Sequence, residues 1–334
     1  PFFGEDPRGY SAAPTRIVDD IIEKRSTFSA ADVANQLSSV VKEPETFVRL
    51  FKEAMQHPDI VVLRDEIGAG VARVYSTTSQ VALELDVVDR GARLALMDNR
   101  NGVSGEGARV TPRVQQRAGK DFNLNTEQRA ALEAASNARF SITSGGSGSG
   151  KSRLAAAIGA AHEDLNWSVV RIAPTGVGAD NLRNEGGASP VMTFAALEHA
   201  VAKGYRTLDQ NTVIIMDEAG QVGAASADRL FGLVEQSGAK LVALRDTDQF
   251  GPYEAAPIFQ ALEARIGGST LEQRHRSRNI EVGAAVERIA KAGSEYGAVA
   301  QGLNDAGVLH AGGSRPASID QLAQDFVQDP NADK

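Results

Sequence analysis

Eight consecutive residues, Gly145-Gly146-Ser147-Gly148-Ser149-Gly150-Lys151-Ser152, constrain this chain more than any others. Gly145 and Gly150 bracket four residues ahead of Lys-Ser, the G-x-x-x-x-G-K-[ST] spacing of a phosphate loop. An apolar run, Phe140-Ser141-Ile142-Thr143, precedes it, and helix formers follow from near Arg153 (Leu154, Ala155, Ala156, Ala157, Ile158). Small residues between a strand and a helix let backbone N–H groups converge on phosphate oxygens at the positive end of the helix dipole. The pattern therefore predicts a nucleotide site lined by Gly145, Gly146, Ser147, Gly148, Ser149 and Gly150. Lys151 would neutralise the β- and γ-phosphates and Ser152 would ligate Mg²⁺. A chance glycine–serine loop is the bland alternative, and the strand–helix setting argues against it.

Around this loop the pattern alternates short β-branched runs with amphipathic stretches. Phe140–Thr143, Val169–Ala173, Val213–Met216 and Leu241–Leu244 read as strands with helices between them, which predicts an α/β fold: a parallel sheet covered on both faces. The third strand runs into Asp217-Glu218-Ala219-Gly220. A buried strand ending in two acids is explained by work at its carboxyl end, where open α/β sheets bind ligands. Asp217 would then hold the Mg²⁺ shell, and Glu218 would orient or deprotonate an attacking water.

The region before the sheet reads differently. Residues 1–13 form a loose leader. Thr15–Lys24, a helix capped by Ser29, and a helix opened by Pro44 follow, then a hairpin pairing Ile60–Leu63 with Val71–Tyr75. Three helices and a hairpin over residues 14–77 predict a winged-helix-like α+β module. A long connecting helix from Thr78 to about Met97 comes next. Then Asp98, Asn99, Asn101, Gly102, Gly105, Gly107, Pro112 and Gly119 suggest a linker up to residue 120.

The 334 residues exceed what one compact domain usually needs, and no apolar run is long enough for a membrane helix. The absence of cysteine excludes disulfides and thiolate chemistry and fits a cytoplasmic setting. His57, His162, His199, His275 and His310 are scattered, so no zinc site is expected. The net charge of −8 disfavours nonspecific duplex binding, yet leaves room for single-stranded nucleic acid in a local cleft.

Three further segments narrow the class. Gln128, in Asn123-Leu124-Asn125-Thr126-Glu127-Gln128-Arg129, could read an adenine edge. Ala173-Pro174-Thr175-Gly176 ends the second strand, where single-stranded nucleic acid lies in many motor proteins. Gln249, in Asp246-Thr247-Asp248-Gln249, could sense the γ-phosphate. Singly, each is more often an N-cap or a turn than a site.

In order, these segments resemble superfamily-one helicases of the RecD-like branch, together with Met192-Thr193-Phe194 and Leu271-Glu272-Gln273-Arg274-His275-Arg276-Ser277. More narrowly, Asp217-Glu218-Ala219-Gly220-Gln221-Val222, Pro252–Phe259 and Thr27–Ala34 are similar to conjugative relaxase–helicases of the MobF type. The resemblance implies ATP and Mg²⁺ as cofactors, with Lys151, Glu218, Gln249 and Arg276 catalytic. It also implies single-stranded DNA contacts at Pro174, Thr175, Gly176 and Thr193. Residues 121–278 would be the first RecA-like ATPase domain, and 279–334 a helical tail leading to a second RecA-like domain that is missing. Without that partner lobe and its arginine finger, little unwinding is expected; losing such a finger costs on the order of 10³-fold or more in phosphoryl transfer.

The lack of an initiator Met suggests an excised piece of a longer protein. Arg245 stands where the family has Gly, and Phe250-Gly251-Pro252 replaces the usual Leu-x-Pro. Two rivals stay open. One is a non-catalytic single-strand-binding or docking module derived from a helicase lobe. The other is a P-loop kinase, for which no acceptor pocket is evident.

Overall fold

A computed structural model describes residues 9–10, 12–23, 25–64, 73–96, 112–185, 189–248 and 257–273. All of these fall in one compact unit that ends at Arg274. Residues 1–8 of the expected leader (1–13), most of the linker, Gln249, Pro252–Ala256, Arg276 and the helical tail lie outside the described residues. The described part of the leader is not loose, because Tyr10 is fully buried and its hydroxyl donates to Asp20 at 2.6 Å.

Three short helices come first: α1 (Arg16–Ile22), α2 (Ala30–Ser38) and α3 (Pro44–Ala54). Helix α2 starts with a reciprocal capping box. The Asp32 N–H donates to Ser29 Oγ, and the Asp32 carboxylate accepts the Ser29 N–H at 2.7 Å. Pro44 occupies the first turn of α3, where its missing N–H costs nothing. Strands β1 (Ile60–Arg64) and β2 (Val74–Thr77) pair antiparallel, and Phe28 bridges to Tyr75. Ile17, Val18, Phe28, Val33, Leu37 and Leu50 bury a core of their own, which gives the winged-helix-like arrangement. The second strand lies later than expected, because its pairing is set by Ile60↔Thr77 rather than by the apolar run alone.

Helix α4 (Thr78–Leu96) covers the expected connecting helix, but it is packed rather than free. Val87 and Leu94 are fully buried in the core of the sheet. A methyl at Gly91 would lie 2.7 Å from the Leu262 side chain, so α4 approaches its neighbour closely there. Arg90 pairs with Asp228 and, at 3.2 Å, with Glu235. The linker expectation fails over its last part, because Pro112–Asp121 is helix α5. There the proline sits at the helix start and Gly119 is carried inside, while Ala118 is buried against the sheet's helices.

The chain then alternates through α6 (Thr126–Asn137), β3 (Phe140–Gly145), α7 (Lys151–Glu163), β4 (Ser168–Ala173) and α8 (Gly176–Asn184). It continues through β5 (Val191–Thr193), α9 (Phe194–Ala202), β6 (Thr212–Met216), α10 (Ala224–Ser237), β7 (Lys240–Asp246), α11 (Ile258–Ile266) and β8 (Ser269–Leu271). Six strands form one parallel sheet in the order β5-β4-β6-β7-β3-β8. Alternation along each strand feeds two cores. Ile214, Met216, Leu241 and Ala243 face one side, with α4, α10 and α11. Val213, Ile215, Val242 and Leu244 face the other, with α6 and α7. This is the P-loop NTPase, RecA-like α/β arrangement expected. The edge strands β5 and β8 were not foreseen; three residues offer no alternation to read. Among the described residues no helix is long and apolar enough to cross a membrane.

Candidate active site

Parallel strands place all their carboxyl ends on one edge, and the expected chemistry gathers there. The phosphate loop leaves β3 at Gly145. A methyl on that residue would sit 2.5 Å from Ser149 Oγ and 3.0 Å from Leu271, so only glycine fits beside the neighbouring edge strand. Gly148 (φ 78°) and Gly150 (φ 89°) take left-handed conformations that wind the loop into the first turn of α7. Lys151 opens that helix. Its Nζ donates to the carbonyls of Gly145 (2.7 Å) and Gly146 (3.0 Å) and pairs with Asp246 at 3.2 Å. An ammonium held over the loop at a helix N-terminus is a cation set beside an anion site. Ser147 N–H donates to Asp248 Oδ2 at 3.0 Å. The Asp246–Gln249 segment thus meets the phosphate loop through its two acids, which the sequence reading assigned no role.

The acidic pair follows β6, two strands from β3 across β7. Asp217 accepts the N–H of Glu218 at 2.8 Å. Burial pushes its carboxyl above the ordinary range, and the Glu185 carboxylate adds to this while Lys151 and Arg171 oppose it. Glu218 sits at φ 52°, a left-handed conformation costly for a side-chain-bearing residue. Burial, then Asp217 and Asp246, raise its pKa as well, which makes it a better proton acceptor. Its carboxylate lies against the first turn of α8, where a methyl at Gly178 would be 2.6 Å from Oε2.

Ser152 Oγ donates to Glu185 Oε1 at 2.6 Å, and Glu185 Oε2 accepts from the buried Arg171 at 3.2 Å. No local pattern marks Glu185, one residue past the end of α8, so sequence reading had no signal for it. Among the described residues no group of three or more His, Cys, Asp or Glu could hold a metal by itself. The pair Ser152 and Asp217 suits Mg²⁺, which is usually bound through one or two protein oxygens plus phosphates and water.

Gln128 is fully buried. Its Nε2 donates to the Ser149 carbonyl at 3.1 Å, and its Oε1 accepts the Asn125 N–H at 3.1 Å in a capping box. The side chain braces the phosphate loop here rather than pointing outward to a base. Glu127 accepts the N–H groups of Glu272 and Gln273, which fastens the segment leading toward Arg276 to the start of α6.

Arg245 is turned to Glu263 on α11, at 2.6 and 3.0 Å, with its stem against Gly220. Glu263 thus engages the long cation that departs from the family pattern.

Pro174, Thr175 and Gly176 lie at the end of β4, and Thr193 at the end of β5, which pairs with it through Ala173↔Thr193. Both threonines are N-caps. Thr175 Oγ1 accepts from Gly178 N–H at 3.0 Å and Thr193 Oγ1 from Ala196 N–H at 3.2 Å. The starts of α8 and α9 therefore lie side by side, with exposed surface around Gly176 and Val177.

A family model described as an AAA domain matches residues 123–314, more than half of the chain. The conjugal transfer protein TraA of Agrobacterium fabrum is 31% identical over 280 residues, covering 82% of this chain and 25% of that protein. The multifunctional conjugation protein TraI of Escherichia coli is 24% identical over 252 residues, covering 72% of this chain and 14% of that protein. A Pif1 helicase structure from Candida albicans overlaps 50% of this chain and 44% of its own, with a TM-score of 0.37 and 21% identity, too loose to carry weight. The chain spans about a quarter of the length of the TraA protein it matches. It belongs to the AAA-domain family of helicase-type P-loop proteins, and over most of its length it is similar to conjugal transfer proteins.

Proposed function

We propose that this chain is the ATP-binding and hydrolysing motor domain of a DNA helicase, the helicase part of a conjugative DNA-transfer relaxase. The observation that carries the reading is the convergence of Lys151, the loop carbonyls and Asp246 within 3.2 Å, with Asp217-Glu218 at a strand end on the same edge. Gly145–Gly150 would wrap the phosphates with backbone N–H groups, and Lys151 would exchange its carbonyl contacts for phosphate oxygens. Ser152 and Asp217 would hold Mg²⁺, which when bound neutralises charge building on the β- and γ-oxygens. Glu218 would orient a water and accept its proton, helped by its raised pKa.

Pro174, Thr175, Gly176 and Thr193 would meet the backbone of single-stranded DNA, where two adjoining helix starts offer N–H groups to phosphates. The glycine contact between α8 and Glu218 supports a link from that strand to the nucleotide. Gln249 and Arg276 complete the proposed catalytic set. A second RecA-like lobe, or the rest of the parent protein, would supply the arginine finger.

ATP hydrolysis with and without single-stranded DNA, with Glu218→Gln beside it, tests the proposal. Binding should survive the substitution while turnover falls roughly 10²- to 10⁴-fold, the usual weight of a positioned base. Equal turnover in both proteins would place the base elsewhere.

A further inference from the structure

Outside the expected motifs, one group of polar side chains reaches into the site from α8 and β4. Arg171 is buried in the middle of β4, between Val170 and Ile172. A guanidinium taken out of water needs a charged partner, and it has one in Glu185 Oε2 at 3.2 Å. The other oxygen of the same carboxylate accepts the Ser152 hydroxyl at 2.6 Å. Asp217, the acid expected to share the metal with Ser152, is bonded instead to the N–H of Glu218. A serine ligates a cation through its lone pairs, and its proton must then point away. A charged acceptor behind the hydroxyl sets that orientation and makes the oxygen a better donor to the metal.

We propose that Glu185 is a positioning residue for the divalent cation. Held by Arg171, it fixes the Ser152 hydroxyl with its hydrogen turned back and its lone pairs outward. This rests on the reading of the site as one for a magnesium–nucleotide. Glu185 acts on the metal through Ser152, so its effect must vanish when Ser152 is gone.

The test uses the whole chain and a fluorescent ATP analogue (mant-ATP), titrated with MgCl₂ and, separately, in excess EDTA. Melting curves without ligand establish that each variant is folded. Glu185→Ala should weaken the magnesium dependence of binding by about 10-fold, while affinity in EDTA stays unchanged. The low end of the 10- to 100-fold range for such outer groups applies because the Glu185 side chain is 31% exposed. Glu185→Gln, which keeps an acceptor for the hydroxyl, should recover part of the loss. In a Ser152→Ala background, Glu185→Ala should add nothing. A wild-type magnesium response left intact by Glu185→Ala, or additive losses in the double variant, would overturn the role of Glu185 alone. Wild-type chain that binds no mant-ATP at any magnesium concentration would sink the nucleotide reading, and this inference with it.

Discussion

Two lysines show how differently the two ends of the sheet are built. Lys240 begins β7 and is buried, with its Nζ donating to the carbonyls of Ala135 (3.0 Å) and Ser136 (2.6 Å) at the close of α6. Trp167 lies under it at 5.8 Å. A helix C-terminus welcomes a cation, but burial opposes the charge and draws the pKa from 10.5 to about 7. Even the neutral amine has two hydrogens for its two carbonyls, so nothing further is needed there. Lys151, at the other end, opens a helix whose dipole repels it and shares carbonyls and Asp246 across a glycine-wound loop. One lysine is a finished structural contact. The other holds one carboxylate and two loop carbonyls, contacts that it would exchange for phosphate oxygens in the proposed site.

Lys151→Ala removes the cation of the phosphate loop. Nucleotide affinity should fall on the order of 100-fold, about 3 kcal/mol, because the phosphate charge loses its partner. Full affinity in the variant would show that the loop is decorative.

Lys240→Met should do the reverse. It orphans two buried carbonyls, so urea unfolding should register a loss of about 2–3 kcal/mol. Mant-ATP affinity should hold at temperatures where the variant stays folded. A matching loss of affinity would mean that the floor of the sheet is coupled to the site.

The same floor supplies a pH dependence. His162 is fully buried, its Nδ1 is 2.7 Å from the Ile158 carbonyl, and its ring lies 5.3 Å from that of Trp167. Burial first, then the charge of Lys240, lowers its pKa from 6.5 to about 4. Between those values the unfolded chain binds a proton that the native chain refuses. The stability tied to neutral His162 is therefore intact above about pH 6.5 and drains away as pH falls toward 4, by about 2 kcal/mol at pH 5. His162→Phe should flatten that part of the stability profile relative to wild type. Parallel profiles would show that the histidine is protonated without cost.

A weaker contribution comes from Asp248 at the loop. Asp248 occupies the Ser147 N–H with a carboxylate, where a phosphate oxygen would otherwise compete. Asp248→Asn should tighten mant-ATP binding by about 3-fold at low salt, and less as salt screens the charge. Weaker binding in the variant would mean that Asp248 shapes the loop instead of competing for it.

How much was legible depended on whether a feature is local. The Gly145–Ser152 loop, the Asp217-Glu218 strand end and the four long strands were readable, because their spacing reflects backbone conformations that neighbouring residues impose on one another. Ser29 and Pro44 announced their helices for the same reason. Pro112 and Gly119 misled because turn formers are also tolerated at a helix start and along a packed helix. Gln128 was found as a residue of the site, but its job of bracing Ser149 came from a contact 21 positions away.

Adjacent residues alone were thus enough to specify the parallel α/β sheet, the phosphate loop and the acids at the end of β6. Each is encoded in a few adjacent side chains whose period or size dictates one local shape. That β5 and β8 are strands, that α4 belongs to the core and that Glu185 holds Ser152 emerged from long-range packing. Those outcomes depend on which surfaces meet across tens of residues, and local periodicity carries no record of that.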